Sequence, residues 1–96
     1  MANISGGLTM SADAATLIRT LVGERSMPVS AGLRIVLSAD TNSLSMRIAG
    51  VPEREDVVIS RAGARVFLCA SAGPRVAGRT LCAQIVPDRP AFFLDP

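Results

Sequence analysis

The period of the apolar residues changes once along this chain, and that change limits what it can fold into. Ala14, Leu17, Ile18 and Leu21 fall at i, i+3, i+4 and i+7, the single stripe of an amphipathic helix. Asp13, Thr16, Arg19 and Thr20 take the opposite side. Ser11 is placed to accept a backbone N–H as N-cap, Asp13 puts negative charge in the first turn, and Gly23 is expected to end the helix. Residues 24–31 form a connection punctuated by Pro28, and beyond it the period is two.

Leu33, Ile35 and Leu37 alternate with Arg34, Val36 and Ser38, and Leu44, Met46 and Ile48 alternate with Ser45, Arg47 and Ala49. The polar run Ala39-Asp40-Thr41-Asn42-Ser43 joins them, so the pair reads as a β-hairpin. Val57–Ile59, Ala64–Cys69, Thr80–Val86 and Ala91–Leu94 read as further strands, with a turn at Ser60-Arg61-Ala62-Gly63. Residues 70–78, with Gly73, Pro74 and Gly78, fit a helical turn and no long helix. The expected class is α+β, mainly β: one N-terminal helix on about six short strands, largely antiparallel with some mixed pairing.

A chain of 96 residues is expected to be a single domain over 8–96, with 1–7 as a flexible N-terminal arm. Apolar residues make up 49%, which points to burial of surface by self-association, most simply as a dimer. The absent residue types exclude more than the present ones allow. There is no His, Lys, Trp or Tyr. Nucleophile–histidine pairs, Schiff-base lysines and phosphate-loop lysines are therefore ruled out, and a non-enzymatic protein is expected. Two cysteines without histidine cannot supply the four ligands of a structural zinc site in one chain.

The ten basic residues are all arginine, scattered along the sequence, and the net charge is +2. Without a concentrated basic face or stacking aromatics, no nucleic-acid partner is expected. Phe67, Phe92 and Phe93 are assigned to the core. No apolar run reaches the length of a membrane span, and the opening residues lack the form of a signal peptide, so a cytoplasmic protein away from the membrane is expected. Cys69 and Cys82 would there be reduced structural thiols. Glu53, Glu55 and Asp56 read as a solvated turn, and Arg34 and Arg47 as solvated strand charges, with an anionic protein partner as the functional alternative.

Several stretches, taken in order, resemble the HesB-like family of A-type iron–sulfur cluster carriers. Leu8-Thr9-Met10-Ser11-Ala12-Asp13-Ala14-Ala15 is similar to the family's opening strand and helix, with its T-x-S-x-x-A character. Gly32-Leu33-Arg34-Ile35 resembles the G-L-R that begins its hairpin. Asp56-Val57-Val58-Ile59, then Gly63 and Val66-Phe67-Leu68, resemble its acidic residue, short strand, glycine turn and next strand. Gly78-Arg79-Thr80-Leu81 and Phe92-Phe93-Leu94-Asp95-Pro96 resemble its G-x-x-L and its late F-x-F-x-N-P. The resemblance covers residues 8–96. It implies the family's small β-rich fold and its tendency to dimerise.

The departures imply a degenerate member. Carriers in the family hold iron or a cluster with one hairpin cysteine and a C-x-C pair near the C-terminus. The matching hairpin place falls near Asn42, and the sequence stops at Pro96, about where the C-x-C pair is expected. Neither a carboxamide nor a hydroxyl replaces a thiolate at such a site. The expectation is an accessory or interaction protein linked to iron–sulfur cluster assembly, with an unknown protein partner and no catalytic, cofactor or metal residues of its own. Two alternatives stand beside it. One is iron or cluster binding by a dimer through Cys69 and Cys82; the other is an interaction module unrelated to iron–sulfur biology.

Overall fold

The computed structural model describes residues 7–38, 40–85 and 89–95. The expected arm lies outside these residues except for Gly7. The elements in chain order are β1 (Thr9–Met10), α1 (Ala12–Glu24), β2 (Gly32–Leu37), β3 (Leu44–Ala49), β4 (Val57–Arg61), β5 (Ala64–Leu68), α2 (Gly73–Val76), β6 (Thr80–Gln84) and β7 (Ala91–Asp95).

Helix α1 starts where the capping logic puts it: the Ser11 side chain accepts from the Ala14 N–H at 3.1 Å, and Asp13 lies in the first turn. It does not end at Gly23, which stays inside the helix. The chain turns out two residues later, where Arg25 caps and Ser26 takes a positive φ of 53°. Polar Ser thus carries the left-handed conformation more often given to glycine.

The strands form two mixed sheets. One has four strands in the order β3-β2-β5-β4, the other three in the order β1-β6-β7. The β2–β3 hairpin is antiparallel, with Leu33 opposite Ile48 and Arg34 opposite Arg47. The β4–β5 hairpin closes on Ala62 and Gly63, both at positive φ, as a two-residue turn matched to strand twist requires. That tight closure makes β4 longer than the sequence predicts, running to Arg61. Two pairings are parallel, β2 with β5 and β1 with β6. Gly32 is needed where β2 meets β5: a Cβ there would stand 2.4 Å from the Arg65 carbonyl oxygen.

The core lies between the sheets and α1, which packs chiefly on β6 and β5. Ala14, Leu17 and Ile18 of the stripe are buried with Leu33, Ile35, Val66, Leu68 and Leu81. The Arg61 guanidinium donates to the Met10 carbonyl, tying the end of β4 to β1 of the other sheet. Of the three phenylalanines, Phe67 is fully buried and Phe92 half-buried, but Phe93 is 47% exposed, so its core assignment is corrected. It sits on the outward face of β7, and no described element covers it.

Candidate functional site

The hairpin tip is built from short polar contacts. The Ser38 N–H donates to the Ser43 carbonyl and the Asn42 N–H to the Ser38 carbonyl, each at 2.8 Å. Asn42 holds a φ of 55°, a left-handed conformation that asparagine tolerates better than most residues. Arg75 of α2 then reaches across and donates through Nη1 to both the Asn42 carbonyl and its Oδ1, at 3.0 Å each. Asn42, near which the family resemblance puts the hairpin thiolate, is thus a carboxamide already engaged by a guanidinium. It does not offer the soft ligand that iron–sulfur chemistry requires.

Cys69 lies beside this tip. Its N–H donates to the Ile35 carbonyl at 3.2 Å, and its own carbonyl accepts from Ala72 and Gly73 as the chain turns into α2. Its Sγ stands 3.3 Å from the Ser71 hydroxyl. Burial pushes this thiol up, but the Ser71 hydroxyl together with polar backbone groups of Leu37, Ala72 and Ser71 outweighs it. The thiol therefore lies below its ordinary value.

Cys82 is on β6, opposite Phe93 in register, with its thiol directed to the Thr80 carbonyl at 3.7 Å. Both cysteines are free and half-buried. Cys69 follows the end of β5 in the four-stranded sheet, whereas Cys82 lies on β6 of the three-stranded sheet. Among the described residues, no three His, Cys, Asp or Glu side chains gather as metal ligands.

Sequence reasoning missed the strongest polar constellation. Asp56, read as part of a solvated turn, has a side chain only 2% exposed, and Arg34, read as a solvated strand charge, has one 11% exposed. Arg34 Nε donates to Asp56 Oδ2 at 2.9 Å and Nη2 donates to Oδ1 at 3.1 Å, a bidentate pair. The Glu53 N–H also donates to Oδ2, at 2.8 Å, and the Glu53 carboxylate lies 3.8 Å from the guanidinium. The Arg34 hydrogen bond holds the Asp56 carboxyl below the usual range despite its burial, and the same bond raises Arg34.

The arrangement resolves a conflict set by the register. Arg34 and Arg47 face each other directly across the hairpin, a destabilising like-charge pair, and Asp56 neutralises one of them. The β2–β5 register also sets Arg34 beside Phe67, which is buried although it lies outside the main core. A charge beside a buried aromatic on a strand face needs a partner.

No family model matches this sequence, and no curated protein matches it either. Solved structures do match by shape. The crystal structure of Escherichia coli SufA, described as involved in the biosynthesis of iron–sulfur clusters, aligns with a TM-score of 0.75 at 21% identity, over 98% of this chain and 94% of that one. A solution structure of an Aquifex aeolicus protein aligns with a TM-score of 0.69 at 14% identity, over 100% of this chain and 99% of that one. The crystal structure of IscA with a [2Fe-2S] cluster aligns with a TM-score of 0.66 at 18% identity, over 91% of this chain and 82% of that one. These likenesses establish the HesB-like fold for this chain. No helix among the described residues is long and apolar enough to cross a membrane.

Proposed function

We propose that this HesB-like chain is a non-enzymatic accessory protein of iron–sulfur cluster assembly, acting in the cytoplasm as a dimer by contact with a protein partner. It does not itself hold a cluster at its hairpin. The fold shared with SufA and IscA supports the setting. The hairpin tip carries the rest of the reading. The family's hairpin cysteine place falls near Asn42, whose oxygen acceptors Arg75 engages. That tip is shaped to hold a loop conformation, and a closed loop is a surface for a partner to read.

A second reading, a dimer binding iron through Cys69 and Cys82, is favoured by the lowered Cys69 thiol, since the thiolate is the ligand form. Anaerobic reconstitution with iron and sulfide separates the two. The first expects no visible chromophore retained after desalting. A stable chromophore lost in Cys69→Ser and Cys82→Ser would sink it in favour of the second. Affinity capture with cluster-assembly proteins as candidate partners then tests the interaction; capture of none would leave only the general module.

A further inference from the structure

A cavity of about 260 Å³ lies between the last turns of α1, the connection that follows it and the β4–β5 turn. Buried Ile18 lies at its base, half-buried Val22 and Met27 form its walls, and Val29, 92% exposed, forms its lip. Ile18, Arg19, Val22 and Gly23 sit at i, i+1, i+4 and i+5, on one side of the helix. Gly23 is the unexpected member of this row. Glycine inside a helix costs about 1 kcal/mol relative to alanine. Gly23 has no positive φ to justify it, and a Cβ built there meets nothing within 4 Å. The fold has no steric need of glycine at this place, and its effect is to leave the helix side of the cavity open.

Charge enters the cavity at one residue. Arg19 Nη1 donates to the Ala62 carbonyl at 2.6 Å, and Nη2 donates to the Thr16 hydroxyl at 3.4 Å. A Cβ on Gly63 would stand 3.4 Å from Arg19 Cδ, so the arginine stem runs along the β4–β5 turn. These contacts pin the guanidinium and use two of its five N–H groups. Among the described residues, no carboxylate pairs with Arg19 and none lines the cavity. We propose that this cavity binds a small monocarboxylic acid whose body is a branched alkyl group or a single ring. The carboxylate meets the Arg19 fork, whose geometry matches it, and the body fills the space beside Ile18, Val22 and Met27. The volume lies below that of drug-sized pockets, which restricts the ligand to a compact one. Met27 adapts the wall, since an unbranched thioether repacks readily.

The inference goes beyond the proposed function and does not depend on it. An amide-resolved NMR titration of the 96-residue chain with 3-phenylpropanoate tests it, beside the uncharged 3-phenylpropan-1-ol. The acid is expected to bind with a Kd of about 1 mM, as suits so small a ligand. Its shifts are expected to gather at residues 18–23, 27–31 and 63. The alcohol is expected to bind about fivefold more weakly, the scale of one exposed charge pair. Arg19→Gln should weaken the acid by the same factor and leave the alcohol unchanged, while Arg19→Lys should keep part of the preference. Gly23→Leu places a good helix former in open space, so it should abolish binding of both with a thermal melt at or above that of wild type. No saturable shift at about 20 mM acid, far above the expected Kd, overturns the proposal. So do shifts that gather elsewhere, an alcohol that binds as tightly as the acid, or a folded Gly23→Leu chain that binds like wild type.

Discussion

Replacing Asp56 by asparagine keeps the size of the side chain and removes its charge. In the wild type Oδ2 accepts from Arg34 Nε at 2.9 Å and from the Glu53 N–H at 2.8 Å, while Oδ1 accepts from Arg34 Nη2 at 3.1 Å. Asparagine has one acceptor oxygen. Whichever way its amide turns, an N–H meets a donor, so at least one bond is lost and the others lose their charge assistance. With the Asp56 side chain 2% exposed, water does not restore the loss cheaply. A hydrogen bond to a charged group contributes about 1.5–3 kcal/mol. The Arg34 guanidinium retains some solvent and the nearby Glu53 carboxylate, so we expect a cost of about 2 kcal/mol at neutral pH, taken from the lower half of that range.

For a chain of this size that cost lowers Tm by roughly 8–16 °C, read by circular dichroism melts and urea titrations. The pH dependence is the sharper check. The folded Asp56 carboxyl is held low, chiefly by its bond to Arg34. Its contribution is therefore complete above the unfolded carboxyl's pKa of about 4 and is lost as pH falls through the folded value. The gap between wild type and D56N should be widest near neutrality and narrow as pH falls below about 4 toward the folded value. A neutral-pH gap below about 0.5 kcal/mol, typical of an ordinary surface substitution, or a gap of constant width into acid, would refute the reasoning.

Other outcomes follow from the same geometry. Gly32→Ala should destabilise by about 3 kcal/mol in urea titration, because its Cβ would stand 2.4 Å from a backbone oxygen that the β2–β5 pairing holds in place. Ser11→Ala should cost about 1 kcal/mol by losing the α1 cap, and Ser11→Asp should recover most of it. Cys69 should be alkylated by iodoacetamide with a pH midpoint below that of free cysteine, read by mass spectrometry; Ser71→Ala should move that midpoint up. Arg75→Ala should speed hydrogen exchange at Asn42 by releasing the hairpin tip while leaving Tm within a few degrees, since the bonds it removes are exposed.

The helix and the hairpin were legible because each declares itself locally. A stripe of four residues with a serine cap fixes α1, and strict alternation on both sides of a polar run fixes β2 and β3. The parallel pairings were not legible. Nothing local to Leu33 names Val66 as its neighbour, and only the steric demand for Gly32 leaves a trace. The Arg34–Asp56 pair was missed for a related reason. Twenty-two positions separate the two residues, and each taken alone has the pattern of a solvated charge. At the hairpin tip, the asparagine was visible in the sequence, but the arginine that engages it comes from a different element. Phe93 was misassigned because alternation gives parity and does not say whether a sheet's second face is covered.

The parallel pairing of β1 with β6 sets Thr9 beside Thr80. Strand β1 therefore has no partner until residues 80 and 81 have been made. As the protein emerges from a ribosome, α1 and the β2–β3 hairpin can form early, but Met10 and the apolar face of α1 wait for Leu81 to seal them. Such late closure of a long loop belongs to the slow end of two-state folding, in the millisecond-to-second range. During that interval the chain displays the apolar surface that its finished fold conceals, so its yield in a cell depends on what shields it before residue 81 arrives.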